Sequence, residues 1–380
     1  MPSFYGAPDH STRGVSATRD VATLLTRLKR ERIKGLVIDL RNNAGGSVDE
    51  ALKMAGMFIN QGPIVQLKDS SGEIHVLKEQ LAKAFYDGPM VVLENKLTAS
   101  ASEVFSAAMQ DYRRAPIVGD SSSFGKGTVQ AVIELDPLID EIGNLPDLAS
   151  ALKITIEKIY RVTGESTQLR GVISDLEIPS LTESVAPCEQ ELARRLAYDE
   201  VAPAAFDAMG SGKPLFLDEL RSRSVARIKE NPLFHDLAAE AAFALEETQK
   251  NRVSLNEKVR EDELAEVARL RGKGDSDRKV LQAHDRNKYY QLTLADVDRA
   301  ELSLIKKRET RASEQTEAPD NTPQAFVAPP AGVLVTGDFD ALNENEAITR
   351  ETLNILSDLV NLTRARQMAT DRREEGARIY

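Results

Sequence analysis

Hydrophobic positions in the first half of the chain alternate between two periods. Val21, Leu24, Leu25 and Leu28 recur at helical spacing and predict an amphipathic helix. Gly35-Leu36-Val37-Ile38-Asp39-Leu40 is then a continuous apolar run, the kind buried on both faces in an α/β sheet. It ends in Arg41-Asn42-Asn43-Ala44-Gly45-Gly46, and Ser47-Val48-Asp49-Glu50 fits a capping box that opens a helix through Ile59. Strand, glycine turn and capped helix form one βα unit. Residues 63–66 and 73–77 predict a hairpin around Ser70-Ser71-Gly72. Pro89-Met90-Val91-Val92-Leu93-Glu94 reads as a second buried strand. After a serine-rich turn, Val104, Phe105, Ala108, Met109 and Tyr112 mark one face of a helix. A strand over 115–119 follows. Residues 128–135 and 151–160 alternate as antiparallel strands do, with a loop or short lid at 136–150.

From about Glu183 the pattern becomes long, charged and helical, over 189–198, 215–229 and 233–248, continued by a charged stretch at 257–271. Residues 310–334 hold several prolines among polar residues and read as a flexible linker. A last amphipathic helix, 348–362, carries Leu353, Leu356, Leu359 and Val360. The expected division is a core at 1–182, a helical domain at 183–309, a linker at 310–345 and a terminal helix with tail at 346–380.

Composition narrows the function. The 380 residues allow two or three domains, and 41% hydrophobic content is enough for a packed core. Aromatic residues at 5% and the absence of Trp point to small-residue, helix-rich packing. A net charge of -11 argues against nucleic acid as a partner, because phosphate neutralisation needs a basic surface. The single cysteine, Cys188, excludes an intrachain disulfide and a cysteine metal cluster. No apolar run approaches membrane-spanning length, and the first residues lack the basic and apolar segments of a secretory signal.

Candidate chemistry gathers at two places. Ser100 stands where strand gives way to helix, at a helix N-terminus whose dipole favours developing negative charge. The same Ser100-Ala101-Ser102-Glu103 pattern is also a capping box, a structural role worth about 0.5–2 kcal/mol. The four histidines, His10, His75, His235 and His284, are scattered, so a lysine is the best remaining base. Lys126, between Gly125 and Gly127, is the candidate, and it must be desolvated to act. A loop lysine at a hairpin is the structural alternative. A phosphate-binding loop is rejected, since five residues separate Gly119 from Gly125-Lys126 and Gly127 follows the lysine. Gly45-Gly46 reads either as a tight strand exit or as a source of backbone donors for an oxyanion.

Asp39-Leu40-Arg41-Asn42-Asn43-Ala44-Gly45-Gly46, Ala99-Ser100-Ala101-Ser102-Glu103 and Phe124-Gly125-Lys126-Gly127-Thr128-Val129-Gln130, in that order, resemble the C-terminal processing peptidases, most of all their bacterial tail-specific branch. Further likeness lies in residues 2–5, 164–172 and 253–256. The resemblance implies a crotonase- and ClpP-like α/β protease core followed by a helical C-terminal region. It implies a serine endopeptidase with Ser100 as nucleophile, Lys126 as general base and Gln130 orienting the lysine. The oxyanion donors would be Ala101 and the Gly45-Gly46 turn, with Gly46 favoured. It further implies protein or peptide substrates recognised by their C-terminal tails, an unidentified adaptor, no metal or organic cofactor, and a periplasmic or cell-envelope setting. Three departures stand out. Thr98 replaces the motif's usual first serine, the 120–123 loop is one residue longer, and the family's leader, N-terminal helical and PDZ regions have no counterpart. The last implies a fragment or truncated product, and leaves an inactive scaffold as the alternative. A crotonase-type acyl-transfer enzyme is a weaker third reading, without a coenzyme A signature.

Overall fold

The computed structural model describes residues 1–6, 14–79, 83–135, 151–207, 214–250, 252, 254–266, 268–269, 286–305 and 341–377. The expected lid at 136–150, His10, His284 and the linker stretch up to residue 340 lie outside the described residues. The chain packs as two compact units. One comprises residues 1–18, 34–230 and 348–380, the other 19–33 and 231–347.

The first unit is an α/β structure with two four-stranded sheets. Strands β1 (Leu36–Asp39) and β4 (Met90–Glu94) pair in parallel, and β5 (Ile117–Gly119) and β8 (Leu176–Glu177) extend the sheet in the order β1-β4-β5-β8. Central β4 is buried at every position, as its unbroken apolar run requires, whereas β1 lies at the edge and is half covered. The second sheet is antiparallel, β3-β2-β7-β6. Here β2 (Gly62–Asp69) and β3 (Ile74–Glu79) form the expected hairpin, and β6 (Thr128–Glu134) pairs with β7 (Ala151–Tyr160).

Helix α2 (Val48–Gly56) starts at Ser47, whose hydroxyl accepts the Glu50 N–H. It packs on α3 (Ala101–Asp111), and both helices also touch β2. Every residue of α3 from Ala101 to Met109 is buried. A helix enclosed on all sides needs small residues for close approach, which Ala101, Ser102, Ser106, Ala107 and Ala108 supply. Its end is anchored by a buried ion pair of Asp111 with Arg161 and by Tyr112 Oη, which donates to Pro63 O at 2.8 Å.

The helical C-terminal region begins differently from its sequence pattern. A four-residue helix, α4 (Thr182–Val185), precedes it. The predicted helix over 189–198 is a single 3-10 turn at Glu189–Glu191 followed by a further turn at 193–194 and irregular chain. Beyond the two bonds of the 3-10 turn, its main chain bonds to the core: Glu189 N–H donates to Phe124 O at 2.9 Å, and the Ala197 carbonyl accepts Lys158 Nζ at 2.9 Å. Helix α5 (Leu217–Glu230) matches its prediction. Helix α7 (Ala341–Ala377) is longer than predicted, and its residues from 348 onward belong to the first unit. Ile348, Thr352, Ile355, Leu356 and Leu359 are its buried face, while Leu353 is 44% exposed. Leu356 lies against Gly35, where a Cβ would sit 2.7 Å from Leu356 Cδ1. Arg227 of α5 holds Glu351 through two nitrogens, at 2.8 and 3.0 Å.

The second unit contains helix α1 (Ala17–Arg30) from residue 19 onward with the turn up to residue 33, helix α6 (Pro232–Lys250) and a small ribbon of β9 (Tyr289–Gln291) with β10 (Ser303–Ile305). Arg27 bridges α1 to Arg299 and Ala300, whose carbonyls accept its guanidinium at 3.2 Å. No described helix is long and apolar enough to cross a membrane.

Candidate active site

The site forms where three turns meet at the C-terminal edge of the parallel sheet. Ser100 is the N-cap of α3 and adopts φ 59°, ψ -118°. This region suits glycine and costs another residue about 1–3 kcal/mol. The turn leaves Ser100 partly exposed between buried Ala99 and Ala101.

The glycine turn after β1 is stitched to this corner. Asn43 O accepts the Ala99 N–H and the Ser102 hydroxyl, each at 3.0 Å. Asn42 and Asn95 exchange two hydrogen bonds, at 3.0 and 2.8 Å. Thr98 Oγ1 donates to Leu40 O at 2.9 Å and accepts the Asn95 N–H at 3.0 Å, so the threonine in place of serine is built into the junction. Gly45 sits at φ 103°, and a Cβ there would lie 2.8 Å from Ala99 O, 2.9 Å from Ser100 Cβ and 3.0 Å from Ala101 N. Glycine is therefore required for the turn to lie against the serine corner. The Gly45 N–H donates to Asn43 Oδ1 at 3.0 Å. The N–H groups of Gly46 and Ala101 have no partner among the described residues. Gly45 thus shapes the turn, and Gly46 and Ala101 retain free donors.

Lys126 enters from the loop before β6. Its Nζ donates to Gln130 Oε1 at 3.3 Å, and a bulge in the β6–β7 ladder falls between Val129 and Gln130. Phe124 N–H donates to Thr98 O at 2.9 Å, which ties this loop to the serine motif. Burial lowers the Lys126 pKa and the charge of Lys153 adds to the effect, against Glu189 and Glu103, which raise it. In the 120–123 loop, Lys96 Nζ donates to the Ser121 and Ser122 hydroxyls at 3.0 and 2.9 Å.

Glu103 joins the two halves. Its Oε2 accepts the Ser100 N–H at 2.7 Å and the Lys126 N–H at 2.9 Å. Its Oε1 accepts the Ser123 hydroxyl at 2.6 Å and the Gly125 N–H at 2.7 Å. The side chain is fully buried, and burial pushes its pKa up to about 7 against the pull of those hydrogen bonds. From the sequence Glu103 looks like half of a capping box, and that half is present. One trait of the sequence signals its wider role, a carboxylate in the first turn of a helix that carries no other charge before Asp111. Of the described histidines, His75 sits on the β2–β3 hairpin beside Asp69 and Glu73, and His235 lies in the second unit.

Residues 1–178 match peptidase family S41, and residues 188–361 match the C-terminal domain of tail specific protease (DUF3340). A tail-specific protease of Haemophilus influenzae is 37% identical over 267 residues, covering 69% of this chain and 36% of its own length. A chloroplastic C-terminal processing peptidase of Tetradesmus obliquus is 30% identical over 196 residues, 52% of this chain and 39% of its own. The carboxy-terminal processing protease CtpA of Bacillus subtilis is 31% identical over 158 residues, 41% of this chain and 31% of its own. Among solved structures, a photosystem II D1 C-terminal processing protease is 28% identical with a TM-score of 0.38, covering 47% of this chain and 41% of that one. The chain thus spans little more than a third of the length of the curated relatives it matches. With both segments matched in order, the chain belongs to peptidase family S41 and carries the C-terminal domain found in tail-specific proteases.

Proposed function

We propose that this chain is the catalytic part of a serine endopeptidase that uses a Ser100–Lys126 dyad to cleave protein substrates and selects them by their C-terminal tails. The observation that carries the reading is the shared Glu103 carboxylate, which brings the backbones of Ser100 and Lys126 to one oxygen atom. In the reaction, neutral Lys126 Nζ removes the Ser100 Oγ proton as Oγ attacks a peptide carbonyl. The N–H groups of Gly46 and Ala101 take the oxyanion. Lys126 then protonates the leaving amine, an ester forms on Ser100, and water, deprotonated by the same lysine, resolves it. Gln130 Oε1 orients the amine. The tail preference follows the names of the relatives, a periplasmic or cell-envelope setting is carried over from the family resemblance of the sequence motifs, and protein or peptide substrates follow from the chemistry.

The dyad is tested with an unfolded protein substrate and a fluorophosphonate probe. Ser100→Ala is expected to lose cleavage and labelling while staying folded. Lys126→Arg is expected to be inactive despite its positive charge, because a guanidinium does not release its proton. The acidic limb of the rate profile should lie below the pKa of a free lysine, about 10.4, since burial disfavours the charged amine. An active arginine variant rules out the lysine as base. A folded wild-type chain that neither cleaves nor labels favours the scaffold reading.

A further inference from the structure

The loop bearing Lys126 is gripped from a second side, by residues with no step of their own in that chemistry. Gly127 N–H donates to Gln168 Oε1 at 2.9 Å. Gln168 Nε2 in turn donates to Glu189 Oε1 at 3.0 Å and to Leu196 O at 3.2 Å. Glu189 also reaches the loop through its main chain, by the bond to Phe124 O. Gln168 is wholly buried and Glu189 is 9% exposed. The fit is tight, since a Cβ at Gly127 would lie 2.6 Å from Gln168 N and 2.9 Å from Ser166 Oγ.

Glu189 and Leu196 lie in the stretch that matches the tail-specific protease C-terminal domain, whereas Lys126 and Gln168 lie in the peptidase match. The chain after Cys188 is fastened along the core beyond them. Tyr198 stacks on the Arg170 guanidinium at 3.8 Å, and Asp199 accepts the Tyr160 hydroxyl at 2.9 Å. Val201 N–H donates to Gly164 O, and Ala204 N–H to Val162 O, both at 2.9 Å. A segment held this firmly gives the Glu189 carboxylate a fixed position beside the loop.

We propose that Gln168 and Glu189 are positioning residues for Lys126, by which the start of the C-terminal domain fixes the base loop and sets the basicity of its amine. The proposal rests on Lys126 being the base. Two physical effects operate together. The amide relay fixes the Gly127 N–H as Glu103 fixes the adjacent Lys126 N–H, so consecutive residues of the loop are held by two buried side chains. The charged groups that face the amine are Glu103 from α3, Glu189 from the turn after Cys188, and Lys153 from β7, with Gln130 hydrogen-bonded to it. Burial and Lys153 push its pKa down, while Glu189 and Glu103 push it up. Without Glu189 the amine would be neutral over a wider range of pH, but a weaker base.

Glu189→Gln keeps the acceptor for Gln168 and removes the charge. It is expected to move the acidic limb of kcat/KM to lower pH while kcat on the plateau stays within a few-fold of wild type. Glu189→Ala and Gln168→Ala remove the relay and are expected to lower kcat on the order of tenfold to a hundredfold at nearly constant KM, with fluorophosphonate labelling slowed in step. Thermal melts of all three establish that the compared proteins are folded, and Glu189→Gln serves where an alanine variant is not. A limb unmoved in Glu189→Gln, or alanine variants with wild-type kcat, overturns the proposal. Lys126→Ala is run alongside. If it cleaves and labels normally the dyad itself is wrong, whereas an inactive Lys126→Ala beside an unmoved Glu189→Gln limb rejects the positioning role alone.

Discussion

Ser100 holds a backbone conformation that glycine adopts freely and serine does not. The strain is tolerated because Glu103, Asn43 and the Gly45 turn fix the chain on every side of it. Replacement by glycine should therefore relieve strain while removing the hydroxyl. Ser100→Gly is expected to gain about 1 kcal/mol of stability in urea denaturation and to lose all cleavage. A variant less stable than wild type would show that the turn costs serine nothing. At this scale short motifs in the sequence single out Ser100, Lys126 and the Gly45-Gly46 turn as candidates, although the contacts that set Gly45 against Ser100 and Lys126 onto Glu103 join distant stretches of chain. The sequence is nearly silent on Glu103. Four groups from residues 100, 123, 125 and 126 converge on that carboxylate, and only the nearest of them shares a local motif with it.

Among the elements, local pattern was a good guide where an element's partners repeat its own period. The β2–β3 hairpin, the β6–β7 pair and helices α2, α3 and α5 follow their patterning. The stretch over 189–198 does not, although its apolar residues suit a helix. Its carbonyls and N–H groups are taken by Phe124, Gln168 and Lys158, partners with no trace in the local sequence. The apolar face expected for helix α7 holds at Leu356 and Leu359, which are buried, and fails at Leu353, which is exposed, for a related reason. Arg41 and Arg227 draw Thr349 and Glu351 inward, at 3.0 and 2.8 Å, and so turn Ile355 to the interior and Leu353 outward. Ile355→Ala should cost about 2–5 kcal/mol, because its site is closed on all sides. Leu353→Ala on the exposed side should cost well under 1 kcal/mol. Equal losses in denaturant titrations would mean that α7 is not packed through this face.

Over the whole molecule, buried carboxylates set the dependence of stability on pH. Glu94, Glu103, Asp111, Asp120 and Asp175 all have pKa values raised chiefly by burial. A group whose folded pKa is raised contributes stability fully below its unfolded pKa and loses it as pH climbs through the folded value. For Glu103 that window runs from 4.5 to about 7. Glu94 is wholly buried and raised well above its ordinary value, so its window extends further. Glu94→Gln resembles the protonated acid and cannot ionise. It is expected to gain stability over wild type as pH rises, with little difference near pH 4, in urea midpoints measured across that range. A difference that stays flat with pH would mean that Glu94 is charged in the fold.

The first unit is assembled from three separated stretches, and its last piece is the helix whose Leu356 lies on Gly35. During synthesis, β1 leaves the ribosome long before its covering helix exists. The loop to be closed between them is nearly the whole chain, and such distant contacts form late. The first unit is therefore completed only after its covering helix, more than 300 residues downstream of β1, has been made. On the proposed protease reading, that order gives the growing chain a period in which the unit carrying Ser100 and Lys126 is not yet finished.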